Sequence, residues 1–251
     1  MKKTALITGA GTGIGRALSE FLIEAGLQVI AVGRRPQPLE SLRASHPDAV
    51  VAVSADVGTE AGRLALAEAV SGASLNLLVH NAAVLEPAGP LAEMSLEAWR
   101  EHQAINLEGP LFLTQALLPR LESGSRILHI SSGAAHTAQG WAAYCMSKAA
   151  LHMGYQCWRN ELQARGVLVG SVRPGVVDTP MQEAIRDFDE TAFPLVEKFR
   201  AFKADGELEP PERVACFLGW LLLKAPEATF TAQELDIRDE TLWSNWEDFQ
   251  P

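Results

Sequence analysis

Short apolar runs alternate with longer amphipathic stretches along almost the whole chain. Several of these runs are continuously apolar and rich in β-branched residues, which is typical of strands buried on both faces of a parallel sheet. The candidate strands are ALITGA (5–10), QVIAVG (28–33), AVVAVSA (49–55), NLLVHNA (76–82), RILHIS (126–131), VLVGSVRP (167–174) and ELDI (234–237).

Amphipathic patterns between these runs predict helices over 13–25, 95–121, 143–165 and 211–224. Gly26 supplies a stop for the first of them, and Pro110 must kink or break the second. Regular alternation of strands and helices implies right-handed crossovers. The pattern therefore predicts an α/β fold: one domain over residues 1–251, with a doubly wound, parallel, seven-stranded sheet flanked by helices.

The least regular segment runs over residues 176–211, where prolines and mixed charge interrupt the alternation. It follows the carboxyl end of a predicted strand, which is where ligands bind in such sheets. Its composition fits a lid over the substrate and an ordinary surface loop equally well.

Charge and composition narrow the class of protein. The chain has a formal net charge of -10 and no basic run longer than Arg34-Arg35, so neither a nucleic acid nor a membrane surface is an expected partner. No apolar run approaches the roughly 18 residues of a membrane span. The three cysteines and six histidines are scattered, so we expect neither a disulfide framework nor a metal site. The expected location is the cytoplasm.

LITGAGTGIGRAL joins the first predicted strand to the first predicted helix. Backbone N–H groups and the helix dipole there would receive a pyrophosphate, and Gly9, Gly13 and Gly15 would let it approach closely. An acidic residue at the end of the second strand would select NAD. This chain has Arg34 and Arg35 there instead. Guanidinium groups pair well with a 2′-phosphate, so NADP(H) is the predicted cofactor, although paired arginines also solvate loops.

GWAAYCMSK contains one of only two tyrosines in the chain, Tyr144, with Lys148 four residues later. This spacing stacks the two side chains on one helix face, where an ammonium would lower the pKa of the phenol. Ser131 and Ser132 end a strand upstream, and Asn106 lies in a helix after the fourth strand. Each residue alone also fits a cap or a solvated side chain, but together they suit hydride delivery to a carbonyl group.

In its motifs and their order the chain resembles the short-chain dehydrogenase/reductase family, whose fold is of the Rossmann type. The matching motifs are TGAGTGIG (8–15), DV (56–57), HNAA (80–83), Asn106, ISS (130–132), YCMSK (144–148) and RPGVVDT (173–179). A regulator that only senses the cofactor would have no reason to retain serine, tyrosine, lysine and asparagine together, so an enzyme is favoured.

The resemblance implies a role for each matched residue. Tyr144 protonates the carbonyl oxygen, Lys148 lowers the pKa of the phenol and holds the nicotinamide ribose, and Asn106 supports a water that relays protons to Lys148. The implied cofactor contacts are Gly9, Thr12, Gly13, Ile14, Gly15, Arg34, Arg35, Asp56, Val57, Asn81, Ala82, Tyr144, Lys148, Pro174, Gly175, Val177 and Thr179.

The catalytic serine is open to two assignments. The family's usual spacing of thirteen residues before the tyrosine points to Ser131, whereas position within ISS, directly before Gly133, points to Ser132. We favour Ser132.

GWAAYCMSKAAL and RPGVVDTPMQEAIR resemble the sepiapterin reductase and bacterial benzil reductase branch, which implies NADPH-dependent reduction of a ketone in an α-dicarbonyl substrate. Trp141 and Met181 then wall the substrate pocket, and Asp236 anchors a pterin ring, although core packing or sheet structure explains all three equally well. The alternative is an alcohol or hydroxysteroid dehydrogenase, or a 3-oxoacyl carrier-protein reductase. Relatives of this kind associate through their long helices, so a homodimer or homotetramer is expected.

Overall fold

The computed structural model describes residues 2–70, 72, 74–86, 88–137, 140–191 and 193–251. Its strands are β1 (Thr4–Thr8), β2 (Gln28–Gly33), β3 (Val50–Ser54), β4 (Leu75–His80), β5 (Leu121–Ile130), β6 (Leu168–Arg173) and β7 (Leu235–Asp236). They form one parallel sheet in the order β3-β2-β1-β4-β5-β6-β7. All seven predicted strands are confirmed, although β5 begins five residues earlier than its apolar run.

The helices are α1 (Gly13–Glu24), α2 (Pro36–Ser45), α3 (Glu60–Ala69), α4 (Leu96–Gln103), α5 (Gly109–Leu117), α6 (Ala142–Leu162), α7 (Pro180–Arg186), α8 (Val196–Ala204), α9 (Pro211–Leu223), α10 (Glu227–Ala232) and α11 (Glu240–Trp246). No helix in the described ranges is both long and apolar enough to span a membrane. The hydrophobic pattern missed α2, α3, α7, α8, α10 and α11, of which α7 and α8 lie in the segment predicted to be irregular. Short helices such as α2 and α3 bury little apolar surface: only Leu39 and Leu42 are buried in α2.

The predicted helix over 95–121 is interrupted, as Pro110 requires. A π-helical turn, Ala104–Glu108, separates α4 from α5, and Pro110 lies in the first turn of α5. A proline there needs no backbone N–H partner and so starts a helix well, whereas inside a longer helix it would remove a hydrogen bond. The π turn holds Asn106, so the irregularity coincides with a predicted functional residue.

Two hydrophobic layers cover the sheet. On one face Leu18 and Leu22 of α1 pack in a cluster with Phe217 and Leu221 of α9, and all four are fully buried. On the other face α5, α6 and α3 pack in a second cluster. Each such side chain contributes about 1.5–3 kcal/mol of transfer free energy. Coverage of both faces explains why the strands are continuously apolar.

Strand order reverses between β1 and β4, since the chain runs outward to β3 and then returns to the other side of β1. Loops after these two strands diverge and leave a crevice at the carboxyl edge of the sheet. The glycine-rich loop and the segment after His80 therefore meet at this edge, and the ends of β5 and β6 extend the same edge.

Candidate active site

The glycine-rich loop after β1 is tied to the end of β4. The side-chain amide of Asn81 donates to the carbonyl oxygens of Thr8 (2.9 Å) and Gly9 (3.2 Å). The backbone N–H groups of Asn81 and Ala82 both donate to the Thr8 hydroxyl at 3.0 Å. Gly9 has φ +69°, and a Cβ there would lie 2.7 Å from the Asn81 amide nitrogen. Only glycine therefore fits this turn, and the hydrogen bonds of Asn81 hold the loop in this shape.

The loop ends at the amino terminus of α1, where the residues fit the pyrophosphate of a dinucleotide. In the described part of the chain, the side chain of the N-cap residue Thr12 makes no capping hydrogen bond. The first N–H groups of the helix, together with its dipole, are therefore available to an anion. Gly13 has φ +55°, and a Cβ there would lie 3.0 Å from the Thr179 methyl group. This contact brings the segment after β6 to the same place.

The side chains of Arg34 and Arg35 are exposed at the end of β2. Within the residues that the structure describes, neither guanidinium forms an ion pair. The Ser54 hydroxyl donates to the backbone carbonyl of Arg34 at 3.1 Å, which holds this turn against β3. After β3, Asp56 accepts the backbone N–H of Gly58 at 2.8 Å and Val57 is buried. The two cations are free to pair with a phosphate beside this loop.

Other predicted cofactor contacts follow β6. Gly175 has φ +81°, Val177 is buried, and Thr179 caps α7 by accepting the backbone N–H of Gln182 at 3.4 Å. Pro174 directly follows β6, whereas Ile14 lies in the first turn of α1. Which of these residues touch a cofactor stays a prediction.

Tyr144 and Lys148 share one face of α6, as their spacing predicts, and both are buried, with 8% and 3% of their surface exposed. The Lys148 ammonium lies 5.6 Å from the centroid of the Tyr144 ring and donates to the Ile130 carbonyl oxygen at 2.8 Å. That carbonyl is the last of β5, so the lysine joins α6 to the strand that leads to the serines.

The two candidate serines face different sides. Ser132 hydrogen-bonds the phenol of Tyr144, and its hydroxyl also accepts the backbone N–H of Ala134 at 3.1 Å. Ser131 is buried on the side of Glu234, and its hydroxyl makes no hydrogen bond within the described residues. Successive side chains of an extended segment point in opposite directions, so only one of the pair can face the tyrosine. The geometry favours Ser132 as the catalytic serine.

Burial is the main cause of the pKa shifts of Tyr144 and Lys148. It raises the pKa of Tyr144 to about 12, against the lowering effect of the Ser132 hydrogen bond. It also lowers the pKa of Lys148 to about 8, against the opposing charge of Glu234. The pKa of the tyrosine is therefore raised, and not lowered as its spacing to the ammonium predicts, because desolvation dominates. Tyr144 holds its proton at neutral pH, as a proton donor in reduction must.

Asn106 braces this site from the π turn. Its side-chain oxygen accepts the Val84 N–H at 2.8 Å, and its amide nitrogen donates to the Val84 carbonyl at 2.8 Å. The same nitrogen lies 3.1 Å from the Ser147 hydroxyl, which donates to the Tyr144 carbonyl at 2.8 Å. Asn106 thus joins the loop after β4 to α6. Its predicted part in a water relay stays a prediction.

His102 is a site residue that the sequence analysis did not single out. It is 1% exposed, and its Nε2 lies 2.8 Å from the amide nitrogen of Asn106. Val84 fixes the orientation of that amide, so the nitrogen is the donor and Nε2 accepts. Nδ1 then carries the proton and donates to the Glu86 carbonyl at 3.3 Å. The available signal was its position four residues before Asn106, one helical turn away.

Aromatic side chains from the start of α6 and from the segment after β6 pack together beside Tyr144. Trp141 stacks on Phe193, with ring centroids 4.0 Å apart and an interplanar angle of 18°, and its ring lies edge-on to Tyr144 at 6.3 Å. Phe188 and Phe199 complete what we call the aromatic cluster: Trp141, Phe188, Phe193 and Phe199. Met181 packs against it, partly buried. Two of the three predicted substrate residues are thus brought together beside the tyrosine.

Asp236 occupies a different environment. Its carboxylate accepts hydrogen bonds from the Arg238 guanidinium at 2.9 and 2.7 Å, and Arg173 lies 3.2 Å away. These cations hold the pKa of Asp236 below its ordinary value, although burial opposes them. Both carboxylate oxygens already have cationic partners, which suits the structural role. A pterin-anchoring role stays a prediction.

Comparisons with known proteins agree with this geometry. Residues 3–190 match the family model described as short chain dehydrogenase. The chain is 32% identical over 234 residues to a benzil reductase ((S)-benzoin forming) of Bacillus subtilis, covering 88% of this chain and 94% of that protein.

Solved structures agree as well. A short chain dehydrogenase/reductase of Saccharomyces cerevisiae superposes with a TM-score of 0.89 at 29% identity, covering 99% of this chain and all of that one. A short chain dehydrogenase of Burkholderia cenocepacia, in complex with NADP, has a TM-score of 0.79 at 26% identity, covering 94% and 96% of the two chains. Fold, site and sequence similarity together place this chain in the short chain dehydrogenase family of oxidoreductases.

Proposed function

We propose that this protein is an NADPH-dependent carbonyl reductase that reduces a ketone of an aromatic α-dicarbonyl compound, with Tyr144 as proton donor. The observation that carries the proposal is the buried Tyr144 phenol, hydrogen-bonded by Ser132 and covered by the aromatic cluster. A protonated phenol beside aromatic side chains suits reduction of a ketone flanked by aromatic groups.

Bound NADPH would supply the hydride. The Ser132 hydroxyl would donate a hydrogen bond to the substrate carbonyl oxygen and so stabilise the negative charge that develops there. Tyr144 would transfer its phenolic proton to that oxygen, which leaves a tyrosinate. The Lys148 ammonium, 5.6 Å from the ring centroid, would stabilise the tyrosinate electrostatically until a proton returns.

Preference for NADPH over NADH rests on the end of β2. The chain carries Arg34 and Arg35 there, both exposed, where an acidic residue would repel a 2′-phosphate. Arginine binds phosphate oxygens through paired N–H donors, so these side chains favour the phosphorylated cofactor.

Substrate class rests on two independent supports. One is the aromatic cluster, which offers flat apolar surface next to the proton donor. The other is similarity to a benzil reductase over most of both chains.

The test follows oxidation of NADPH, and separately of NADH, by purified protein against benzil, a small aliphatic diketone, sepiapterin and a 3-oxoacyl thioester. We expect NADPH consumption with benzil, lost in Tyr144→Phe by at least the roughly 10²–10⁴-fold that general acid catalysis supplies. Binding of NADPH to that variant should stay nearly intact. Turnover with the thioester alone would support the acyl reductase alternative, and turnover with sepiapterin alone would support a pterin substrate. Either result would overturn the proposal.

A further inference from the structure

Two histidines and a glutamate that are far apart in sequence meet at the surface beyond the catalytic helix. His136 ends a 3₁₀ turn after β5, His152 lies on α6, and Glu234 directly precedes β7. His136 Nε2 lies 2.9 Å from Glu234 Oε2, and His152 Nδ1 lies 3.1 Å from Glu234 Oε1. The potential ligand atoms all lie within 4.8 Å of one another. We call these three residues the His–Glu cluster.

The ligand chemistry of the cluster selects a transition metal. Two imidazole nitrogens with one carboxylate suit Zn²⁺, whereas Mg²⁺ and Ca²⁺ prefer sites made of oxygen atoms. Bonds of about 2.0–2.1 Å in a tetrahedral zinc site place neighbouring ligand atoms about 3.3 Å apart. The two measured nitrogen–oxygen separations lie close to this value, so an ion could enter with small side-chain rotations.

The residues around the cluster would hold the carboxylate in place for a metal. Ser171 donates its hydroxyl to Glu234 Oε1 at 3.0 Å, as the hydrogen-bonded carboxylates of metal sites require. His136 Nε2 and His152 Nδ1 contact the two oxygens of the carboxylate at 2.9 and 3.1 Å. Neighbouring side chains therefore fix both carboxylate oxygens in place.

Arg173 is the nearest competing cation, with Nε 3.4 Å from Glu234 Oε2. It also pairs with Asp236 at 3.2 Å, so it keeps an anionic partner if a metal takes the glutamate. The cluster is open to solvent from one side. The side chains of His136 and His152 are 44% and 24% exposed, whereas that of Glu234 is 6% exposed. A surface cleft of about 430 Å³ lies over them and has room for a hydrated ion.

We propose that His136, His152 and Glu234 bind one Zn²⁺ ion, with solvent in the fourth position. The ion would join the turn after Ser132 to α6 and to the chain before β7. In its absence each imidazole donates an N–H to Glu234. The same two nitrogens would present lone pairs to the ion, with their protons moved to the other ring nitrogen. The proposed zinc site does not depend on which carbonyl compound is the substrate.

Protein without a polyhistidine tag, stripped with EDTA and dialysed, tests the site by calorimetric titration with Zn²⁺. We expect one equivalent to bind and to raise the melting temperature. His136→Ala and Glu234→Gln should each weaken binding by more than about 10-fold, the lower end of what even supporting residues contribute. His46→Ala is the matched control, because His46 lies after α2 and outside the cluster, and its binding should equal that of wild type.

Titration with Co²⁺ gives a second readout, since visible absorption bands report ligand number and geometry. Bands that appear in wild type and in His46→Ala but not in His136→Ala support the site. His136 is the most exposed of the three ligands, so its variant should fold, as the melting temperature without metal will show. No saturable binding to wild type, or equal binding to wild type and to both cluster variants, would overturn the proposal.

Discussion

The amide nitrogen of Asn106 lies 2.8 Å from Nε2 of His102, and both side chains are buried. The contact makes a neutral histidine the acceptor that orients the asparagine of the catalytic set. Burial lowers the pKa of His102, the Glu86 carbonyl opposes this, and the charge of Lys148 adds to it. Protonation of His102 Nε2 would place two hydrogen-bond donors against each other, so the hydrogen bond between Asn106 and His102 would be lost.

His102→Leu should therefore lower kcat several-fold while the KM for NADPH changes little, because the residue acts through Asn106. The buried amide that loses its acceptor should cost about 1–3 kcal/mol of stability. Steady-state kinetics across acidic pH will show whether the variant also loses the acid limb of the wild-type profile. His102→Gln offers an acceptor oxygen and should restore part of kcat. A purely structural role predicts no change in the pH profile.

Loss of the positive charge of Lys148 should cause the fall in the rate of reduction at alkaline pH. Its pKa is lowered to about 8, whereas Tyr144 holds its proton to about 12. Above pH 8 the ammonium deprotonates first, so kcat/KM for NADPH should fall there while the phenol is still protonated. Lys148→Arg should move the limb to higher pH, because a guanidinium stays charged. A wild-type profile that stays flat well above pH 8 would contradict this assignment.

Arg34→Asp should weaken NADPH binding by about 10- to 100-fold, the range expected for loss of a charge-assisted hydrogen bond and gain of a repulsive charge. NADH binding should be unchanged or improved. Arg43→Asp on α2 is the matched control, since Arg43 pairs with Glu40 on the helix surface. Fluorescence titration of both cofactors measures the ratio. An unchanged preference for NADPH over NADH in Arg34→Asp would show that other residues bind the 2′-phosphate.

Phe193→Leu should impair benzil more than a small aliphatic diketone. The residue is fully buried and stacks on Trp141, so loss of its ring removes the support that holds the Trp141 ring beside Tyr144 while leaving an apolar side chain. The KM for benzil should rise, and that for the aliphatic compound should stay near its wild-type value. Kinetics with both substrates on one preparation control for stability. Equal effects on the two compounds would assign Phe193 to core packing alone.

Acid should destabilise the fold through its buried histidines. Burial lowers the pKa of His80, with His129 adding to it, and lowers that of His129 to about 3, with Lys148 adding to it. Below pH 6.5 these groups take up protons in the unfolded chain but stay neutral when folded. The free energy of unfolding should therefore decrease as pH falls through that range, by about 1.4 kcal/mol per pH unit for each group.

Denaturant titrations of wild type and His129→Leu at several acidic pH values measure this slope. The variant lacks one of the titrating groups, so its stability should depend less steeply on pH by about that amount per unit. Identical slopes in the two proteins would show that His129 is protonated in the folded state as well.

Local spacing determined much of this protein from sequence. Runs of apolar, β-branched residues predicted every strand of the sheet, because strands buried on both faces need apolar side chains throughout. The offset between Tyr144 and Lys148 predicted a shared helix face, because helix geometry repeats within one turn. Glycines after β1 predicted the loop, because the positive φ of Gly9 and Gly13 suits few other residues.

Tertiary structure alone decided which side chains meet across the fold. Only the tertiary contacts of the segment after β5 with α6 and with Glu234 show that Ser132 lies beside Tyr144 whereas Ser131 lies on the side of Glu234. The scattered histidines predicted no metal site, yet the fold places His136 2.9 Å from Glu234 across a separation of 98 residues. Periodicity reports which face a side chain occupies within its own element. The element that packs opposite depends on the whole chain.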